Sequence, residues 1–170
     1  QYDDAGNRSK VTDAKSNPTT YEYNEFNLIS RISNPLNQAI AFEYDKNGNQ
    51  TKIIYPKGDT VSSTYNDLNR LESIKYNGIS RWSFAHDPNG NITSVNDIAT
   101  GRNKAFVYDS NSRLTEEKTG SQNSIQYEYD ANSNIKALKI TAGTASFNTG
   151  YSYNPFNQIV QLLRNGSNLC

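Results

Sequence analysis

YEYDANSNI, the stretch from Tyr127 to Ile135, contains the pattern that decides the fold. Tyr127 and Tyr129 are separated by one polar residue, and this period of two is typical of a half-buried β-strand. Asp130 then opens a polar segment in which its side chain can accept hydrogen bonds from the local backbone, as in a type I turn. The stretch therefore predicts a strand that runs directly into a tight hairpin turn.

The same pattern recurs along the whole chain. At eight regularly spaced positions, an Asp or Asn follows a tyrosine or, in one copy, a histidine. These anchor residues are Asp3, Asn24, Asp45, Asn66, Asp87, Asp109, Asp130 and Asn154. Their spacing is 21 residues in five of the seven intervals, with one of 22 and one of 24. The sequence therefore predicts one array of eight repeats, each of roughly 21 residues, over residues 1–170.

Aromatic side chains occupy two fixed positions before most anchor residues. One ring stands directly before the anchor residue, and another stands two positions earlier. The set is Tyr21, Tyr23, Phe42, Tyr44, Phe84, Phe106, Tyr108, Tyr127, Tyr129, Tyr151 and Tyr153. Because each hairpin of a repeat protein packs only on its neighbours, these rings are expected to stack into a core. His86 takes the place of the tyrosine in one repeat, which we interpret as a substitution within a structural position.

The third residue after the anchor residue indicates how each turn closes. That residue must enter the left-handed region, which glycine adopts freely and asparagine tolerates. The glycine copies pair Asp3 with Gly6, Asp45 with Gly48 and Asp87 with Gly90. Asp109 and Asp130 are instead followed by serine. The pattern predicts type I turns closed by a glycine-type bulge, with the two serine copies less well specified.

Aliphatic residues recur five and eight positions after the anchor residue, as at Ile29 and Ile32. Their separation is odd, so simple alternation would place them on opposite faces of a strand. Either a bulge or bend brings them to one face, or the two positions serve two faces. The longest departure from the repeat lies around Thr141–Thr149, which we interpret as a connection that absorbs the 24-residue spacing.

Composition places the chain near the polar limit of folded proteins. Hydrophobic residues make up 34% of it and the mean hydropathy is −0.83, but 12 Tyr, 6 Phe and 1 Trp argue against disorder. Lys and Arg total 17, as do Asp and Glu, and no long run of one charge occurs. This balance excludes an electrostatic footprint for nucleic acid, and no apolar stretch approaches the ~20 residues of a membrane-spanning helix.

Three turns resemble the Y-D-x-x-G-[RN]-L/I signature of RHS/YD repeats: Tyr44–Asn49, Tyr108–Leu114 and Tyr129–Ile135. This family includes bacterial wall-associated proteins, polymorphic toxins, shell components of insecticidal toxin complexes and animal teneurins. The resemblance implies an all-β fold in which tandem hairpins form a curved, spiralling antiparallel sheet, a segment of a hollow shell. It also implies an extracellular or cell-surface location, further repeats of a parent chain as partners and, in bacterial members, an enclosed toxin domain.

No residue pattern indicates catalysis, a cofactor or a metal. The single His86 fills a tyrosine position, and Cys170 has no histidine partner in the sequence. The turn Asp45–Asn49 begins like a calcium loop, but Pro56 stands where that loop needs a glutamate. The segment Asp87–Gly90 resembles the start of the self-cleaving core that closes toxin-carrying arrays. An ordinary repeat follows it, so that activity is not carried over to this chain.

Two functions are compatible with these features. The first is a structural segment of an encapsulating shell or scaffold of a large secreted or surface bacterial protein that houses or displays a toxin domain. The alternative is a surface adhesion module that binds glycan or cell-wall polymer, because rings such as Trp82 and Phe84 suit the flat faces of sugars. Eight hairpins are too few to close around a folded domain. We therefore expect the terminal segments, Tyr2–Val11 and Tyr151–Arg164, to fray or to pair with a neighbouring molecule.

Overall fold

The computed structural model describes residues 1–165 and 167–168. Within these residues the chain forms strands and turns and contains no helix, which confirms the predicted all-β fold. A helical membrane span is accordingly absent from this part of the chain.

The strands are short and alternate with tight turns. In chain order they are β1 (Lys10–Thr12), β2 (Pro18–Tyr23), β3 (Ile29–Ser33), β4 (Ala39–Tyr44), β5 (Gln50–Ile54), β6 (Thr60–Tyr65), β7 (Leu71–Tyr76), β8 (Ile79–His86), β9 (Ile92–Asp97), β10 (Lys104–Tyr108), β11 (Leu114–Thr119), β12 (Asn123–Tyr129), β13 (Ile135–Ala142), β14 (Ala145–Tyr153), β15 (Ile159–Arg164) and β16 (Ser167–Asn168). β-branched and aromatic residues are frequent in them, and such residues suit a pleated surface.

Two compact units divide the chain, Gln1–Ser83 and Phe84–Cys170, and β8 contains the boundary. In the first unit, the strands from β1 to β8 pair antiparallel in chain order. In the second unit, the strands from β9 to β16 pair in the same way. Each unit is therefore a succession of hairpins that pack on their sequence neighbours, as the repeat predicted.

A bulge in six of the hairpins decides between the two alternatives for the aliphatic residues. In the first unit, Tyr23 lies opposite Ile29, and Tyr21 lies opposite Ile32. The register shifts by one residue between Glu22 and Tyr23. The same shift occurs in the hairpins β4–β5, β6–β7, β10–β11, β12–β13 and β14–β15. The extra residue brings the fifth and eighth positions to one face, where both lie opposite aromatic positions.

The two faces of the first unit differ in chemistry. The face of Tyr21 and Tyr23 carries the rings and the aliphatic residues opposite them. The other face is polar: Arg31 lies 3.8 Å from Glu22 across one hairpin, and the next hairpin carries a similar Lys–Glu pair at 3.4 Å. These pairs are largely exposed, so each contributes at most about 1 kcal/mol. Alternation along each strand therefore separates an aromatic face from a charged face.

The expected stacked core does not form, and this prediction was wrong. Among the described residues no side chain is fully buried, and the paired rings of the aromatic face are half-buried. The physical reason is that each unit consists of strands paired edge to edge, with no helix or second layer covering the rings. Packing between neighbouring rings removes only part of their surface from water.

The interpretation of Thr141–Thr149 as a connection was also wrong. β13 and β14 extend through this region and pair as far as Ala142 opposite Ala145. Gly143, with a φ of 60°, lies in the short turn that joins them. The additional residues therefore lengthen a hairpin, because residues added to both of its strands can continue the antiparallel ladder without a break.

Both terminal segments bond to their own sequence neighbours. Tyr2 and Arg8 form an isolated bridge, and the N-terminal ammonium donates to the Lys10 carbonyl at 2.8 Å. Tyr151–Arg164 spans the end of β14 and all of β15, which pair with each other. The expectation that the terminal segments fray or pair with a neighbouring molecule stays a prediction.

Candidate functional site

Each anchor residue closes its own hairpin turn, and Asp45 shows the geometry. Its backbone N–H donates to the Asn49 carbonyl at 2.9 Å, and its carbonyl accepts the Gly48 N–H at 3.1 Å. Its side-chain Oδ1 accepts the backbone N–H groups of Asn47 and Asn49, both at 2.9 Å. Gly48 has a φ of 83°, in the left-handed region. The carboxylate therefore satisfies backbone donors that the turn would otherwise leave unpaired.

The same backbone pattern closes the other anchor turns. It occurs at Asp3, Asn24, Asn66, Asp87, Asp109, Asp130 and Asn154. The third residue is left-handed in every one of them: Gly6 and Gly90 have φ values of 83° and 96°, and Ser112 and Ser133 have values of 59° and 68°. The weaker specification expected for the serine turns stays a prediction.

A second set of capped turns lies between the anchor residues, and sequence reasoning missed it. Asp13 Oδ1 accepts two backbone N–H groups at 2.8 and 2.9 Å, and Asn34 Oδ1 accepts two at 2.9 and 3.0 Å. Asp97 caps a turn of the second unit through two bonds of 3.0 Å. These residues, separated by multiples of 21, belong to what we call the intermediate position, which comprises residues 13, 34, 55, 76 and 97. A search at half the repeat spacing would have found them.

The side chain of the fourth residue after the anchor residue forms a hydrogen bond with the anchor side chain in six turns. Side-chain donors at this position reach the carboxylates of Asp3, Asp45, Asp87, Asp109 and Asp130. Arg113 Nε, for example, donates to Asp109 Oδ2 at 2.7 Å. At the asparagine anchor Asn154 the direction reverses, and Nδ2 donates to Gln158 Oε1 at 2.8 Å. Donor and acceptor are therefore matched within each of these turns.

Replacing Asp109 by asparagine is expected to lower the melting temperature by a few degrees. The new Nδ2 would face Arg113, which carries only donors, so this contact is lost. Asp13→Asn is the matched control, because Asn17, which donates to Asp13 Oδ2 at 3.0 Å, can turn its amide to present an oxygen. Differential scanning calorimetry compares the two variants. Equal melting temperatures for both would contradict the matching of donor and acceptor.

The fourth residue of several repeats also reaches the next repeat. Asn7 donates to Asn27, Asn49 to Asn69, Asn91 to Ser112, Arg113 to Ser133 and Asn134 to Asn157, at distances between 2.7 and 3.1 Å. Each acceptor is the third residue after its own anchor, so the two serines supply an acceptor that glycine lacks. Where the fourth residue is the apolar Leu28, the facing third residue is Gly48, and Leu28 Cδ1 packs beside it.

The tyrosine before each anchor residue links its repeat to the preceding one. The hydroxyls of Tyr23, Tyr44, Tyr65, Tyr108, Tyr129 and Tyr153 donate to the carbonyls of Arg8, Ile29, Gln50, Ile92, Leu114 and Ile135, respectively, at 2.8 to 3.1 Å. Each accepting residue stands five positions after the preceding anchor residue. A phenylalanine would fill the same space but leave this carbonyl without the bond. His86 occupies the corresponding position at the end of β8.

The aromatic residues two positions earlier lie on the same face and pack across the hairpins. Phe42 lies opposite Ile53, Phe106 opposite Glu117, Tyr127 opposite Leu138 and Tyr151 opposite Leu162, while Phe84 lies on β8. The Arg8 guanidinium stands 4.8 Å from the ring centroid of Tyr21, a cation–π contact between successive repeats. Both aromatic positions therefore contribute to the packing of one repeat on the next.

A model of the Teneurin YD-shell family matches residues 60–166, well over half of the chain. The chain belongs to the Teneurin YD-shell family. An RHS Repeat model also matches residues 2–39, and the resemblance inferred from the turn sequences is confirmed. No curated protein matches the chain.

Solved structures share the fold of this YD-shell chain at low sequence identity. The crystal structure of TcdB2-TccC3-Cdc42 aligns with a TM-score of 0.75 and 16% identity over 94% of this chain and 10% of that one. TcdB2-TccC3 without its hypervariable C-terminal region gives a TM-score of 0.77 and 18% identity, with the same coverage. A structure of the Photorhabdus luminescens Tc holotoxin pore gives 0.70 and 14%, over 96% and 12%. The YD-shell chain thus spans about a tenth of the length of these chains.

Four anchor carboxylates of the YD-shell chain, those of Asp45, Asp87, Asp109 and Asp130, have lowered pKa values. At Asp45 the side-chain hydrogen bond from Asn49 is the largest cause, and backbone N–H groups add to it. At Asp109 the backbone N–H of Arg113 comes first, followed by its side chain. The pKa values of Asp87 and Asp130 are lowered in the same way as that of Asp45. Because these bonds exist only in the folded turn, they favour the ionised carboxylate in the folded state.

Stability is therefore expected to fall on acidification below the usual carboxyl pKa of 3.8. The folded-state pKa values are depressed, so the stabilisation is fully present above the unfolded value and disappears as the pH passes through the folded one. Denaturant midpoints measured between pH 6 and pH 2 test this, with amide exchange at the asparagine-anchored turns as an internal comparison. A midpoint that stays constant down to pH 2 would contradict the role assigned to the carboxylates.

Across residues 1–165 and 167–168, no group of three or more His, Cys, Asp and Glu side chains is arranged to hold a metal ion. Cys170 lies outside the described residues. That the chain has no catalytic, cofactor or metal-binding residue stays a prediction, and its family and fold are those of a structural repeat.

Proposed function

We propose that this chain forms part of the wall of an RHS-type shell in a large secreted or surface bacterial protein, and that the shell houses or displays a toxin domain. The array is proposed to run through residues 1–170 as eight consecutive repeats. Its partners are the further repeats of the parent chain and the enclosed domain. The match to the Teneurin YD-shell family supports the structural role.

The ladder of tyrosine hydroxyls is the observation that carries this proposal. At each link a side chain of one repeat donates to the backbone of the preceding one, as Tyr44 does to Ile29 at 2.8 Å. Side chains of successive turns form a second series of bonds between repeats, as between Asn49 and Asn69 at 2.7 Å. Such nearest-neighbour contacts favour extension of an array by further repeats.

The lack of a buried core gives a second reason. A sheet whose aromatic face is only half-buried obtains less hydrophobic stabilisation than a two-layered domain. A wall of a larger assembly can cover such a face with whatever it encloses or with neighbouring wall. The polar face, with pairs such as Arg31 and Glu22, suits contact with water.

Electron microscopy of the full-length gene product is the test of this proposal. The expected result is a hollow particle in which residues 1–170 form consecutive hairpins of the wall. Limited proteolysis is expected to leave an enclosed domain intact until the wall itself is cut or unfolded. A particle in which these residues form a separate, solvent-surrounded domain without a lumen would overturn the proposal and favour the adhesion module instead.

A further inference from the structure

The turn between β5 and β6 departs from the capping pattern. It spans Tyr55–Asp59, and its backbone forms the usual pair of bonds, both 2.9 Å long, with Gly58 at a φ of 90°. Residue 55 belongs to the intermediate position, where Asp13 and Asn34 cap their turns. The phenol of Tyr55 cannot cap, because its hydroxyl lies at the far end of a rigid ring.

The neighbouring intermediate turn departs in the same way. Tyr76 stands 21 residues after Tyr55, and the hairpin there closes through Asn77 and Gly78, with φ values of 48° and 78°. This two-residue turn needs no side-chain cap, because both central residues are already left-handed. Two successive repeats therefore carry a tyrosine at the intermediate position, where the other turns have a capping Asp or Asn. Neither tyrosine is needed to close its turn. Local departures from the structural rule of a repeat are expected at functional sites.

The two departures meet in one open cleft of about 430 Å³. Its lining includes Gln38, Tyr55, Lys57, Asp59, Val61 and Tyr76. Tyr55 and Tyr76 are 39% and 38% exposed, so part of each residue remains accessible to a ligand. The volume falls within the range of roughly 300–1,000 Å³ typical of small-molecule sites.

The carboxylate in the cleft is held in place by its neighbours. Asn77 Nδ2 donates to Asp59 Oδ1 at 2.7 Å, and Asn77 Oδ1 in turn accepts the Thr60 backbone N–H at 2.6 Å. Partial burial raises the pKa of the Tyr76 phenol, and the nearby Asp59 carboxylate raises it further. The Asp59 carboxylate is thus held beside the Tyr76 ring by Asn77 and by the Tyr76 phenol, and its remaining lone pairs can accept hydroxyl groups of a bound polyol.

From this arrangement we infer that the cleft binds a neutral saccharide, with its ring stacked on Tyr55 or Tyr76 and its hydroxyls bonded to Asp59 and Gln38. The phenol rings offer flat apolar faces for the C–H face of a pyranose. Lys57 and Asp59 carry opposite charges, so the cleft has no net charge from this pair and favours neither an anion nor a cation. The inference does not depend on whether the chain belongs to a closed shell.

The test uses the 170-residue chain and three variants. Saturation-transfer-difference NMR and calorimetric titration measure binding of cellotriose, maltotriose and chitotriose. Tyr55→Asn and Tyr76→Ala are expected to weaken binding at least about tenfold, because each removes one stacking face. Phe156→Ala, which removes a ring that is 82% exposed and does not line this cleft, is the matched control and is expected to bind as the parent does.

The Tyr55→Asn variant carries a second readout. An asparagine at residue 55 can cap the turn, with Oδ1 accepting backbone N–H groups and Nδ2 donating to Asp59, as Asn34 Nδ2 does to Gln38 Oε1 at 3.1 Å. Its melting temperature is therefore expected to rise while binding falls. The inference is overturned if none of the three oligosaccharides binds the parent chain, or if Tyr55→Asn and Tyr76→Ala bind as tightly as Phe156→Ala.

Discussion

Replacing Tyr129 by alanine is expected to lower the free energy of unfolding by about 3 kcal/mol. The ring lies opposite Ile135, its hydroxyl donates to the Leu114 carbonyl at 2.8 Å, and the Arg113 guanidinium stands 4.6 Å from its centroid. Alanine removes all three contacts at once. Because the tyrosine joins two repeats, the loss also weakens the link between them.

Denaturant unfolding measures this effect, and native-state hydrogen exchange locates it. The amides around Leu114 and Ile135 are expected to exchange faster than those of the first unit. Tyr129→Phe is the matched control: it keeps the ring and loses only the hydroxyl bond, so about 1 kcal/mol is expected. If the phenylalanine variant is as stable as the parent, the hydroxyl ladder contributes nothing to stability. A loss as large as that of alanine would instead assign the whole effect to the hydroxyl.

Replacing Gly48 by valine is expected to cost about 2 kcal/mol. The φ of 83° lies in the region that β-branched residues avoid. Crowding is not the cause, because a Cβ at this position would meet only Leu28 Cδ1, at an ordinary contact distance of 3.7 Å. The penalty is therefore conformational and acts on the turn itself.

The variant Gly48→Asn separates the effect of backbone conformation on stability from the effect of side-chain size. Asparagine occupies the equivalent position at Asn27 and Asn69, with a φ of 58° at both, so this variant is expected to be nearly as stable as the parent. Thermal unfolding of the two variants provides the comparison. Equal stability of Gly48→Val and the parent would refute the assignment of a left-handed turn residue.

The features predicted correctly from the sequence are those that depend on local chemistry. The all-β fold follows from the alternation of aromatic and polar residues at Tyr127 and Tyr129. This pattern involves residues only two positions apart, so it can be recognised in the sequence alone. The left-handed residue after Asp45 also follows from the turn sequence alone, because the carboxylate bonds to a backbone only two and four residues away.

Apart from the local caps at Asp13 and Asn34, the features that were missed depend on contacts between strands or between repeats. The hydroxyl of Tyr23 reaches the Arg8 carbonyl, 15 residues away, and no local pattern indicates that target. The bulge that places Ile29 and Ile32 on one face could be named only as one of two alternatives, because it requires the register of two strands. The missing core has a similar origin: whether rings such as Tyr23 are covered depends on a second layer that their own spacing does not encode.

The bond from one turn to the next makes neighbouring repeats non-interchangeable. Asn7 faces Asn27 and Asn49 faces Asn69, whereas Leu28 faces Gly48. Loss of a single repeat from the gene would place Gly48 opposite Asn7 and leave the amide without its acceptor. Loss or duplication of two repeats together would bring Asn69 to Asn7 and preserve the bond. In this part of the chain the alternation of asparagine and glycine at the facing position therefore repeats every two hairpins, about 42 residues, and deletion of an odd number of repeats is expected to remove bonds that deletion of a pair preserves.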